Sequence, residues 1–384
     1  MIAYNSEWLD ALETKEAAQE WHKKGLLSDE KWQAIQARYT SDFYSPNVFV
    51  RIGLAIFGLI LILAVMGLAA MLFSPDSDEG LALFGFFWGV VWIFVLDYWA
   101  IQSARHFCSG IDDLLLYSGV TCIITSLCSL LPYSADTLVY CCIAWPFLLA
   151  GSIRYRDRLM AAATFICSLQ FVLLIVNKIP GAALYLLPFT GMTCSAAAYF
   201  FARRGQRNYD WRHWSGLFAV VELLALVTFY ASGNYWVVQQ FANDMFALPQ
   251  PPIGWFFWSF TFLLPMLFIY RGFVRKDRHL LDIGLACTAA AVFTFRYYYH
   301  VLPWPWAAAI AGAGLFLIAY FSIRYLQKNA GAYTYDADGR TSMLQKVEEQ
   351  LIEQTIAAQT PPVPVKKETF GGGQFGGGGA GGEF

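Results

Sequence analysis

The stretch VRIGLAIFGLILILAVMGLAAMLF, residues 50–73, decides the fold. As a helix it is long enough to cross a bilayer, whose roughly 30 Å of hydrocarbon takes about 20 apolar residues. Comparable stretches follow at 81–101, 114–131, 137–153, 159–177, 181–202, 214–232, 253–270, 280–299 and 306–325. Composition agrees: 57% of the 384 residues are hydrophobic and only 14% are charged, against roughly 25% charged in a soluble domain. A water-soluble fold could not cover that much apolar surface. The expected class is all-α, a polytopic transmembrane helical bundle of about ten spans.

Direction follows from the loops, because Lys and Arg are retained on the cytoplasmic side during insertion. The loops after the second, fourth, sixth and eighth spans carry Arg105; Arg154, Arg156 and Arg158; Arg203, Arg204, Arg207 and Arg212; and Arg271, Arg275, Lys276 and Arg278. The intervening loops carry only Lys178 and, at the edge of the ninth span, Arg296. Alternation this complete places both termini on the cytoplasmic side, since a missed or invented helix would break it. These arginines read as topogenic anchors, with a surface for anionic headgroups as the alternative. The net charge of −2 gives no field for nucleic acid, so the expected partner is the lipid bilayer. The first 49 residues are polar and lack the pattern of a cleaved signal, so the amino terminus is expected to be retained. The eight cysteines fall in apolar spans or on an inward loop, with no C-x-x-C pair, and read as small core residues rather than disulfides or metal ligands.

The sequence echoes itself at a spacing of about 120 residues. Ala198-Tyr199-Phe200, Arg203, Gln206, Arg207 and Asn208 recur as Ala319-Tyr320-Phe321, Arg324, Gln327, Lys328 and Asn329, each offset by 121. Pro146 before Arg156-Asp157-Arg158 is matched by Pro265 before Lys276-Asp277-Arg278, and Gly191 by Gly312. Helix ends alone do not explain a shared aromatic pair, glutamine and asparagine in one register. The reading is an internal parallel duplication of a four-helix unit, related by a pseudo-twofold axis along the membrane normal. The organisation is then a cytoplasmic helical hairpin at 1–49, two leading spans at 50–101, repeat A at 102–212, repeat B at 213–329 and a cytoplasmic tail at 330–384. The copies differ at 233–252, a long outward segment rich in Trp, Tyr, Phe and Pro.

In the hairpin, Asn5 or Ser6 caps a first helix that stops at Gly25, and Ser28 caps a second, with Leu27 and Trp32 as a hydrophobic staple. Trp8, Leu12 and Trp21 are expected to face Trp32, Ile35 and Tyr39. The pair is too small to stand alone and should pack on the membrane surface or a partner. In the tail, an amphipathic helix is expected at 342–358, ended by Pro361, Pro362 and Pro364. The Gly-rich end cannot bury a core, but Phe370, Phe375 and Phe384 spaced by glycine suit capture by a partner's groove as well as they suit an unbound tail.

The run Trp21-His-Lys-Lys-Gly25-Leu-Leu-Ser28-Asp-Glu30, ending in Tyr39 and followed by a span containing Gly53, Gly58 and Gly67, resembles the start of an uncharacterised family of bacterial predicted membrane proteins. The likeness covers about the first 75 residues. It implies a helical hairpin before a polytopic bundle, and a bacterial inner membrane, and carries no activity with it.

Ionisable groups at membrane depth are the first functional candidates, because inserting one costs roughly 2.5–3.5 kcal/mol. Glu222 is the clear case. It must be protonated, paired or wetted, with Gln170 as a neutral partner. Asp97 and Asp282 lie near inner helix ends. Arg296, Tyr299 and His300 cluster at an outer edge, reading as an aromatic belt with a snorkelling arginine or as an anion or headgroup site. No H-E-x-x-H, phosphate loop, G-x-S-x-G or dinucleotide fingerprint occurs, so neither catalytic motif nor cofactor nor metal is expected. The leading function is transporter-like or lipid-handling; a scaffold or sensor built on the hairpin and tail is the alternative, and an intramembrane enzyme on lipid-linked substrates is third.

Overall fold

The computed structural model describes residues 2–299 except 24, 25, 74, 76, 180–182, 249 and 276, together with isolated positions between 309 and 324. These residues belong to one compact unit, Met1–Ala337; a second, Asp338–Phe384, lies wholly outside them. The tenth span apart from those isolated positions, the tail helix, Phe370, Phe375, Phe384 and His300 are likewise outside the described residues.

The chain is all helical, with no β-sheet among the described residues and one isolated bridge, Tyr44 to His106. Two short helices, α1 (Ser6–Lys23) and α2 (Asp29–Arg38), precede the bundle. Then come α3 (Val48–Phe73), α4 (Asp78–Val95, extended by a π-helical segment Leu96–Ser103), α5 (Ile111–Ser129), α6 (Thr137–Tyr155), α7 (Arg158–Asn177) and α8 (Ala183–Arg207). A 3₁₀ turn, Tyr209–Trp214, leads into α9 (Ser215–Gly233). The last elements are α10 (Tyr235–Phe246), α11 (Gly254–Arg275) and α12 (Arg278–Tyr298). Nine of the described helices are long and apolar enough to cross a membrane. Each covers one of the first nine expected spans, so the chain is a multi-pass membrane bundle.

Lipid tails are as apolar as leucine, so these helices associate through close van der Waals contact at small residues rather than through water exclusion. In the α4–α5 pair, a Cβ on Gly89 would lie 2.9 Å from the Gly119 carbonyl oxygen, and one on Gly119 would lie 3.2 Å from that of Gly89. The α11–α12 pair meets as closely: a Cβ on Gly272 would stand 3.0 Å from the Leu281 nitrogen. Antiparallel hairpins α4–α5, α6–α7, α8–α9 and α11–α12 all close at the end carrying the arginines, here termed the basic end. Asp157 and Asp277 cap α7 and α12 in the same way, accepting from the Met160 and Leu280 N–H groups.

The amino-terminal pair sits otherwise than expected. Asn5 caps α1 through the Glu7 N–H, but Ser28 makes no side-chain cap at α2. Of the expected facing stripes, Trp32 does reach α1, where it stacks on His22. Trp8 meets Phe43 edge-on, while Trp21 and Tyr39 are exposed. Helix α1 turns Leu9 (1% exposed) and Ala18 inward, and Leu9 and Tyr4 join one core with Trp92, Leu96, Leu116 and Met160 of the spanning helices. The bundle offers α1 more apolar area than α2 does, and α2 buries no residue. The expected loop at 233–252 also contains a helix, α10, whose Val238 and Ala242 are buried.

Candidate functional site

At the basic end several of the loop arginines are bound to acids. Arg105 pairs with Asp42 at 2.7 Å, Arg154 with Asp97 at 2.8 Å, Arg156 with Glu13 at 3.0 Å and Arg212 with Asp10 at 2.8 Å. Asp10 and Glu13 sit three residues apart on one face of α1, so one helix clamps two loops. His213 joins them, the three groups lying within 4.8 Å of one another, but both carboxylates are already neutralised by arginine.

Glu222 is 7% exposed and lies seven residues into α9, about 10 Å from its start. Its Oε1 accepts from Arg203 Nε at 2.5 Å and its Oε2 from Gln206 Nε2 at 2.7 Å. Arg203 also binds Asp277 in the α11–α12 turn and passes 5.4 Å from the Tyr199 ring. Burial works to raise the Asp277 carboxyl, but the Arg203 bond and charge and the Leu280 N–H outweigh it and hold that group below the usual carboxylate range. The arrangement is a closed acid–guanidinium–acid bridge joining α8, α9 and the α11–α12 turn. Glu222 therefore has partners other than Gln170, which stands exposed on α7. Asp282 pairs along its own helix with Arg278 at 3.6 Å.

At the far end, Asn234 organises the corner between α9 and α10. Its Oδ1 accepts from the Trp236 N–H at 3.0 Å, capping α10, while its Nδ2 donates to Tyr230 Oη at 2.9 Å and to Thr294 Oγ1 at 3.2 Å. The Tyr235 N–H donates to Thr261 Oγ1 at 3.0 Å. Asn234, Thr261 and Thr294 are all buried, so α10 is fixed to α9, α11 and α12 by satisfied polar groups. Tyr299 packs among Trp258 and Phe295 and is half exposed. Arg296 is partly buried one turn before it.

Beside α10 lies a groove of about 320 Å³. One wall is a stripe of α7: Ile166, Leu169, Gln170, Leu173, Leu174 and Asn177. Leu187, Pro188 and Gly191 of α8 and Ser232 of α9 form its floor, and Val237, Val238, Phe241 and Met245 of α10 its other rim. Gly191 permits the floor: a Cβ there would meet Ser232 Oγ at 2.5 Å. Gln170 is thus a groove residue. The α7 stripe repeats every three or four residues and is visible in the sequence, but a helix apolar all round does not show which face meets lipid and which a cavity. Asn234 had a signal, a capping residue before an aromatic run; α10 was hidden by its length.

Compared with known protein families, with curated proteins and with solved structures, the chain matches none.

Proposed function

We propose that the chain is a lipid-handling membrane protein of transporter-like build, and that the groove between α7, α8, α9 and α10 receives a lipid chain. The groove itself carries this reading. Its volume of about 320 Å³ falls in the usual range of small-molecule sites, roughly 300–1,000 Å³. Its walls are mostly aliphatic, with Phe241 and three polar side chains among them, and Val237 and Met245 on its rim are exposed on a bundle of membrane-crossing helices. The Arg203–Glu222–Asp277 bridge leaves Glu222 no vacant carboxylate oxygen, so the groove is the better place for a ligand.

In this reading the basic end faces the cytoplasm with both termini, following the arginine count, and the groove opens toward the outer leaflet of a bacterial inner membrane. The bacterial setting rests on the resemblance of the first 75 residues. The duplication belongs to the same proposal and is supported by the twin caps of Asp157 and Asp277, each following a proline-containing helix, α6 or α11. The scaffold reading keeps one observation in its favour, the unburied α2 beside exposed Trp21 and Leu26.

The test is chain-level crosslinking. In cells fed a fatty acid bearing a diazirine, illumination should mark α7 and α10 above the level of α3, whose outward face meets bulk lipid. Leu173→Trp with Val237→Trp, which fills the groove from both walls, should bring α7 and α10 down to that level. Equal marking of α3, α7 and α10 in both proteins would remove the groove from the function.

A further inference from the structure

Resting on that reading, the polar groups of the groove narrow the kind of lipid. Gln170, Asn177 and Ser232 line it, and among the described residues none of their side chains hydrogen-bonds to protein. An amide or hydroxyl facing hydrocarbon without a partner is costly, so these groups call for a partner from the ligand or from water. Gln170 lies seven residues before Asn177, the last residue of α7, and so, with that helix end at the far membrane surface, about 10 Å deep. That is deeper than a phospholipid headgroup normally sits.

Charge decides what can follow a chain to that depth. No Lys, Arg or His lines the groove among the described residues. Lys178, next in sequence to the lining residue Asn177, is bound to Asp136. A phosphate drawn to Gln170 would meet no positive charge and would lose its hydration in surroundings of low polarity. A hydroxyl or ester carbonyl would instead exchange hydrogen bonds with the Gln170 amide, which offers both a donor and an acceptor.

We infer that the ligand is an uncharged acyl lipid of the acylglycerol type, its hydroxyl or ester oxygen bound by Gln170 and its chain laid along the α7 stripe. Asn177 and Ser232 are positioned to bind further oxygens of the same molecule.

The test uses purified full-length protein and two probes with identical diazirine-bearing chains, a diacylglycerol and the corresponding phosphatidic acid. The diacylglycerol should mark α7 and α10, and the phosphatidic acid should mark them several-fold less. Gln170→Leu should lower diacylglycerol marking about three- to tenfold, the range expected for one neutral hydrogen bond in a membrane protein, while leaving phosphatidic acid unchanged. Because Gln170 is exposed and makes no bond to protein, this variant should keep the wild-type thermal midpoint. Equal marking by both probes, or an unaffected Gln170→Leu, overturns the assignment of an uncharged lipid but leaves the groove as a chain site. Marking by neither probe overturns the groove reading itself.

Discussion

A carboxylate about 10 Å inside a membrane bundle survives only if something answers its charge, and Arg203 answers Glu222 from the neighbouring helix. Removing the guanidinium is then worse than neutralising the acid. Arg203→Met, which leaves buried Glu222 with Gln206 alone, should cost about 3 kcal/mol in detergent-solubilised protein. Glu222→Gln keeps hydrogen-bonding capacity and should cost about 1 kcal/mol. Thermal melts of the two variants check the order; a milder effect for Arg203→Met would break the account. Asp277 adds a pH dependence with a definite sign. Its carboxyl is held below the unfolded value of about 3.9, so its contribution is present above pH 4 and fades as pH falls through the lowered value. Asp277→Asn should therefore lose stability at neutral pH and show a flatter acid limb than wild type. Glu222 was legible in the sequence as an acid inside an apolar span. Its partner was not, because the apolar run ends near 202 whereas α8 continues to Arg207, so a residue read as a loop anchor stands inside a helix and reaches back toward the membrane.

At the scale of elements, α1 and α10 matter most, and both were poorly legible. The amphipathic stripe of α1 was visible, but nothing in it chose between α2 and the bundle. The choice was made by apolar area in the bundle and by Arg156 and Arg212 waiting for Glu13 and Asp10. The weights of these contacts differ. Asp10 and Glu13 are 43% and 40% exposed, so each ion pair is screened by solvent and worth at most about 1 kcal/mol. Leu9 is fully enclosed, and Leu9→Ala should cost about 2–4 kcal/mol. Hydrogen exchange of α1 should accordingly rise more in Leu9→Ala than in the double variant Asp10→Asn with Glu13→Gln, and added salt should affect only the charge-dependent part. If the double variant freed α1 more than Leu9→Ala did, the helix would be an electrostatic attachment rather than part of the core.

For the whole molecule, the positions of the nine described spans were legible because hydrocarbon thickness acts on local sequence. The pairing of helices was not, since it depends on which glycines meet, such as Gly89 with Gly119. The direction of insertion is tested by single cysteines in a cysteine-free background. Tyr133→Cys, at a fully exposed far-end turn, should react with an impermeant maleimide in intact cells, and Arg207→Cys only after permeabilisation. The reverse pattern would invert the proposed orientation.

The four hairpins have a mechanical consequence. Their turns at the basic end are tied by ion pairs: the α1 clamp holds Arg156 and Arg212 of two turns, and the Arg203 bridge joins α8 and α9 to Asp277. At the far end the ties are of another kind: Lys178 reaches Asp136, and the Asn234 amide fixes α10 to its neighbours. The hairpins are therefore bound like a sheaf, with a band of ion pairs around the basic end. The groove lies at the opposite end, beside α10.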